Sequence, residues 1–278
     1  MKTNFKKIIV LSLLVLAIVS CKKDDDTIPD GQGEVKTSIT DGPFPFSFVT
    51  EANVGVAKVE VKTESGEYVT LFEGSASYNM VDLTNGATAE VETSTIEAGT
   101  YTGARVTLNS ASIMFDGGTG FASSEIEGET AGTYTFDIEP ALVVEEGESS
   151  EVLFDLDLGE SFTFMGMGGI SLPEWVLSSG LIHGCEFHPH FRVCDRDRTG
   201  SISGTVTHSG ASVENANVYI VVDGETVSTH TEADGSFTFI GVESGTYVVH
   251  VSTSDGAYIS VDGITVTGTD GVSCDVTL

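Results

Sequence analysis

A chain of 278 residues with 42 acidic and 12 basic side chains carries a formal charge of −30 at pH 7. That excludes nucleic acid as a partner, because binding a phosphate backbone rests on Lys and Arg displacing its counterions. Lysine stops at Lys62 and the later cations are Arg105, Arg192, Arg196 and Arg198, so the partners expected are neutral or cationic, and many of the acids serve solubility.

The chain opens on Lys2, Lys6 and Lys7, followed by an apolar run from Ile8 to Val19 that is too short to span a bilayer and is shaped like a secretory signal. Ile18, Val19, Ser20 and Cys21 resemble the lipobox of bacterial lipoproteins. The resemblance implies cleavage after residue 20, a diacylglyceryl group on the Cys21 thiol and an acylated amine. Several acyl chains hold a protein on a membrane where one holds it only marginally. Loss of three lysines and no acids leaves 9 basic against 42 acidic side chains, a charge of −33 on the 258 residues that remain. Residues 21–33, beginning "CKKDDD", are too polar for a core and read as an acidic tether. Lys followed by several Asp here also resembles the surface-export signal of Bacteroidota-type lipoproteins, which implies the outer face of the outer membrane; a tether that merely stays solvated is the plainer alternative.

From residue 34 onward, runs of four to eight residues rich in Val, Thr, Ile, Tyr and Phe alternate apolar with polar between Gly, Asp and Asn, and no segment keeps a helical period. The pattern predicts an all-β chain of two antiparallel β-sandwich domains, residues 34–194 and 199–278. In the first, Val56 to Thr63 turns Val59 and Val61 inward and Lys58, Glu60 and Lys62 outward. Tyr68 to Phe72 returns as its partner. Tyr101 to Leu108 and Tyr134 to Ile138 follow turn glycines Gly99 and Gly132. Val152 to Leu158 puts Val152, Phe154, Leu156 and Leu158 on one face, with Leu153, Asp155 and Asp157 on the other. The stretches "TDGPFPFSFVTEANVGVAKVEV", "YNMVDLTNGATAEV", "IEAGTYTGARVTL" and "LFDLDLGESF" resemble a domain of unknown function widespread in Bacteroidota-type lipoproteins. That resemblance implies a location and a sandwich, and no activity.

"CDRDRTGS", Cys194 to Ser201, reads as the interdomain linker. Beyond it, "GSISGTVT", "ENANVYI" and "TEADGSFTFIGVESGTYVVHV" resemble the carboxypeptidase regulatory-like domain, which implies a prealbumin-like sandwich of about seven strands without an active site. Asp234 and Gly235 suit a hairpin turn, and Phe237 and Phe239 point together into a core.

The densest chemistry lies in "HGCEFHPHFRVC". In an extended strand His188 and His190 share a face roughly 7 Å apart at Cα, so with His183 and Cys194 they could hold Zn or Cu, and Met165 and Met167 could add thioethers for copper. The same parity buries Phe187, Pro189, Phe191 and Val193, making Glu186, His188, His190 and Arg192 an ordinary polar face. The spacing fits no standard zinc signature. A Cys185–Cys194 disulfide would require the chain to fold back near Pro189, and Cys274 reads as a buried free thiol. Asp195, Asp197 and Thr199 mimic half of a calcium loop without its twelfth-position Glu, and a polar linker accounts for them equally. Asp155 and Asp157 sit on one strand face, as paired carboxylates for acid/base work or for calcium would, or as the alternating acids of a solvated face. No cofactor is expected beyond those candidate ions, and no nucleophile elbow, metalloprotease or phosphate-binding motif occurs. The expectation is a non-catalytic binding or assembly module on a lipid anchor. Carbohydrate leads as ligand, with Trp175, Phe187 and Phe191 as stacking faces, beside an outer-membrane protein partner; the alternatives are a Zn or Cu lipoprotein and a hydrolase.

Overall fold

The computed structural model describes residues 28–42, 48–167, 179–222 and 224–278. The expected leader, Cys21, most of the expected tether and Trp175 lie outside the described residues. Among the described residues no helix is long and apolar enough to cross a membrane.

The chain is all-β. Its first module comprises β1 (Gln32–Gly42), β2 (Val49–Thr63), β3 (Tyr68–Asn79), β4 (Ala89–Glu97) and β5 (Gly99–Phe115). After these come β6 (Gly120–Phe121), β7 (Glu127–Gly128), β8 (Gly132–Val144) and β9 (Ser149–Asp157), then α1 (Leu158–Ser161), β10 (Phe162–Met165), β11 (Gly184–Phe187) and β12 (Phe191–Asp195). One sheet runs β3-β2-β5-β8-β12-β9-β1-β4, with β6 against β5. Register shifts in the β2–β5 pair mark bulges that sharpen the right-handed twist. The sheet rolls until its two ends meet, where the Ser94 hydroxyl of β4 donates to the Leu71 carbonyl of β3. Inside the roll Val54, Val61, Ile113, Leu142 and Leu156 are fully buried. A small sheet, β10-β11-β7, seals one end with Phe162, Phe164, Cys185 and Phe187.

The predicted pairing is only partly antiparallel. β1 runs parallel to β9 from Glu34↔Ser149 to Gly42↔Asp157, and β12 touches β8 in parallel at Val193↔Ile138. Parallel neighbours need long crossovers, and β1 and β9 are separated by more than a hundred residues that build most of the module. Glu60 is also not outward in the sense expected. Its residue is 5 % exposed, because the Arg105 Nε donates to it at 2.7 Å and the Lys58 ammonium lies 3.1 Å away.

The second module comprises β13 (Gly200–His208), β14 (Ala211–Ser212), β15 (Asn217–Val222), β16 (Glu225–His230) and β17 (Ser236–Val242). It closes with β18 (Gly245–Ser252), β19 (Tyr258–Val266), β20 (Gly271–Ser273) and β21 (Val276–Thr277). One sheet is β14-β13-β17 with β20 and β21 on β13; the other is β16-β15-β18-β19. Between them Ile202, Val218, Ile220, Phe237, Val249 and Val251 form the core, so this module is a prealbumin-like sandwich. Asp234 and Gly235 do turn the chain, but they join β16 to β17, which lie in different sheets, and the expected hairpin is a crossing between layers. The turn demands glycine: Gly235 has φ +81° and a Cβ there would meet the Val206 carbonyl at 2.6 Å.

The modules are packed together and not merely strung on a linker. Asp195 caps the short 3₁₀ turn Arg196–Arg198, accepting from the Asp197 amide, and Thr199 is fully buried with its hydroxyl on the carbonyls of Asp195 and Arg196. Leu153 and Cys194, buried but members of neither core, face Gly241 of β17, whose added Cβ would lie 3.1 and 3.0 Å from them.

Candidate functional site

Two places in the described structure carry more chemistry than packing requires: an aromatic row on the second module and the joint between modules. Alternation along β15 and β18 buries Val218, Ile220, Val249 and Val251 and turns Tyr219 and His250 outward, directly opposite each other in the antiparallel register. Their rings stack at 4.5 Å between centroids and 14° between planes. Tyr258, on the edge strand β19, stacks on His250 at 6.1 Å, and its hydroxyl sits 2.7 Å from His250 Nδ1. Tyr258 is 58 % exposed, and Val221 stands open beside the row. Burial and the Tyr258 hydroxyl hold the Tyr219 phenol above its usual range. The row thus offers an apolar stripe edged with hydroxyls and an imidazole, close to a strand with no further neighbour. It suits a neutral ligand that has both C–H faces and hydroxyls.

At the joint, Arg192 of β12 reaches across. Its Nη2 donates to Asp155 Oδ2 at 2.8 Å and to the Ile240 carbonyl at 3.3 Å, and its Nη1 donates to the Gly241 carbonyl at 2.7 Å. Asn85 clasps the other side, accepting from the Thr238 amide and donating to Glu232 at 3.2 Å. Asp155 therefore does not lie on a solvated face, as the strand parity implied, but under the second module. Asp157 caps α1 through the Glu160 amide, and burial pushes its carboxyl up to about 6. Burial, reinforced by Asp155, raises Asp41 well above the usual carboxylate range.

The residues expected to hold a metal are dispersed. The chain bends over residues 188–190, so β11 and β12 belong to different sheets and the extended strand that would align His188 with His190 is interrupted. His183 is exposed at the mouth of β11, His188 is exposed 3.9 Å from Glu129, and His190 borders a cavity with Asp157 and Arg192. Cys194 is buried at the joint, its thiol pushed up to about 11 by burial. Met165 is half-buried in β10, and Met167 is largely exposed. Among the described residues no three His, Cys, Asp or Glu side chains converge as a metal's ligands.

Phe187 and Phe191 are not stacking faces for a ligand. Phe187 is fully buried on Phe162 at 4.7 Å, and Phe191 is packed edge-on against Phe136 at 5.3 Å and Phe154 at 6.5 Å. Cys185, Cys194 and Cys274 are buried free thiols. The half calcium loop is spent on backbone amides: Asp195 accepts from Val143 and Asp197, and Asp197 accepts from Glu151. Asp195 borders an open cleft of about 600 Å³ with Glu145, Glu148 and Arg198. At 1 % exposure it is sealed from any substrate, so the raised carboxylate a hydrolase needs is not presented there. Tyr219, His250 and Tyr258 escaped the sequence reading. The alternation in "NVYIVV" and "YVVHVS" carried the signal, since it sets Tyr219 and His250 outward on strands of one module.

Fold and site together define a two-module all-β protein ending in a prealbumin-like sandwich. Residues 32–173 match the family described as Domain of unknown function (DUF4382), and the chain belongs to that family. Residues 201–278 match the Carboxypeptidase regulatory-like domain, in the order the sequence motifs implied. Neither description names a reaction. No curated protein matches the chain. Among solved structures, it is 20 % identical to a chain in a type II cohesin–X-dockerin complex from Acetivibrio cellulolyticus, with a TM-score of 0.23, over 28 % of this chain and 52 % of that one. The match thus spans about half the length of that solved chain. A protein from Pseudomonas aeruginosa named as a candidate carbohydrate binder is 20 % identical over 30 % of this chain and 91 % of its own, with a TM-score of 0.22. The major pilin subunit of Bacillus cereus is 9 % identical over 88 % and 99 %, with a TM-score of 0.21. At such TM-scores none of these likenesses bears on function.

Proposed function

We propose that the chain is a lipid-anchored outer-membrane lipoprotein, held by Cys21 and displayed at the cell surface, whose second module captures a neutral glycan by contact and without turnover. The observation that carries the reading is the stacked row Tyr219, His250 and Tyr258. Sugars present C–H faces to aromatic rings and hydroxyls to phenols and imidazoles, and an uncharged ligand escapes the repulsion that a charge of −30 sets up against anions. The "VSC" motif and the polar tether support the anchor and the display. A Zn or Cu protein built on His183, His188, His190 and Cys194 lacks the convergence it requires.

A glycan array probed with the chain from Thr27 onward, followed by calorimetry on the best ligand, tests this. Wild type should bind at least one neutral glycan. Tyr219→Ala/Tyr258→Ala should weaken it by about tenfold or more, the value of two stacking rings, with an unchanged melting temperature. Silence on the array, or equal affinity in the double variant, would refute the reading.

A further inference from the structure

Independently of the glycan reading, the joint buries more negative charge than it pairs. Of the four buried side-chain oxygens without a hydrogen-bond partner among the described residues, three belong to residues that border one cavity of about 20 Å³: Asp41 Oδ2 from β1, Asp155 Oδ1 from β9 and Thr229 Oγ1 from β16. Asp41 is 5 % exposed and spends its other oxygen on the Leu158 amide at 3.2 Å. The one cation bordering the cavity among the described residues is Arg192, which is committed to Asp155 Oδ2 and to the carbonyls of Ile240 and Gly241. The residues that the second module and the Asn85–Gly86 turn present to the cavity are uncharged. Asp157 and His190 border a neighbouring cavity with Arg192, and Glu243 lies towards Arg192. Two buried carboxyls thus face a single guanidinium that engages only one of them, and an ionised Asp41 would be a buried charge without a partner.

We propose that Asp41 stays a neutral carboxylic acid in the folded protein and that its proton lets the two modules close on each other, so that the joint is tight in mild acid and loosens as the pH rises. One proton supplies the donor that the cavity lacks. A protonated Oδ2 donates, the Thr229 hydroxyl both accepts and donates, and Asp155 Oδ1 accepts, with room for one water to bridge them. Burial first, and repulsion from Asp155 after it, raise the Asp41 carboxyl well above the usual carboxylate range; the Leu158 amide opposes the rise and Asp157 adds to it. A carboxyl raised in this way supports the closed joint below its ordinary value of 3.8, and that support is lost as the pH climbs from there through the folded value. Ionised Asp41 regains water only if the second module lifts away, because β16 and β17 form the far wall of the cavity.

Two measurements on the full chain test the proposal. Carbon-13 NMR of labelled aspartate carboxyls follows Asp41 directly: at pH 7 its carbon should still hold the acid position, where an ordinary aspartate has moved to that of the carboxylate. Opening of the joint is read from the rate at which dithiodipyridine modifies Cys194, whose thiol is buried beside Gly241 of β17, with the Cys194 peptide identified by mass spectrometry. Comparing wild type and variant at one pH cancels the dependence of the reaction on thiolate. Asp41→Asn keeps an acceptor for Leu158 and puts a neutral donor where the proton sat. At pH 8 this variant should react at least tenfold more slowly than wild type, and the gap should narrow steadily as the pH is lowered towards 4. Should Asp41→Asn fail to fold, the carboxyl titration of wild type decides alone. An Asp41 carbon already at the carboxylate position at pH 7, or equal Cys194 rates in wild type and variant at pH 8, overturns the proposal.

Discussion

Glu60 stands on the outward register of β2, yet its carboxylate is nearly sealed by Arg105 at 2.7 Å and Lys58 at 3.1 Å, with Arg105 in turn lying 3.8 Å over the Tyr68 ring. Arg105 first, and Lys58 after it, hold the Glu60 carboxyl below its usual range. A carboxyl whose folded value is depressed adds stability above its unfolded value near 4.5, and that stability is lost as pH falls through the folded value. Glu60→Gln should therefore cost about 1–2 kcal/mol in urea unfolding at pH 7, and the cost should shrink steadily as the pH is lowered below 4.5 towards and through the folded value. A penalty that stays the same over that acid range would assign the effect to shape. Alternation placed Val59 and Val61 in the core correctly. It could not show that the Arg105 side chain of β5 would lie across the outer face, backed by Tyr68 of β3, and roof over Glu60 together with Lys58, because that depends on which strands become neighbours.

At the scale of elements, local pairings were legible and distant ones were not. Tyr68 opposes Lys62 across a short turn as expected. The parallel pairing of β1 with β9 left no local trace, since no turn connects them. The bend between β11 and β12 had a trace in Pro189, which removes a ladder donor. That bend disperses His183, His188, His190 and Cys194. The crossing at Gly235 is the most demanding turn of the second module. Gly235→Ala should cost at least about 1 kcal/mol, because a Cβ at φ +81° is strained and meets the Val206 carbonyl. Urea unfolding checks this, and an unaltered midpoint would show that the turn relaxes freely.

Over the whole molecule, composition and periodicity were enough for an all-β chain. They did not reveal that Arg192, Asp155 and Gly241 lock the modules face to face, since a joint between layers is written in neither module's own alternation. Alternation did turn Tyr219 and His250 outward, but the aromatic row depends on β15, β18 and β19 becoming neighbours, which alternation within each strand does not show. The proposed role needs a tethered body that works by contact at that row. Retention of a fluorescent glycan by intact cells expressing the chain tests it most directly. Wild type should hold the glycan at the surface; Cys21→Ser, which removes the anchor, and Tyr219→Ala/Tyr258→Ala, which removes the row, should each abolish retention. Cells that retain as much glycan with either variant as with wild type would contradict it.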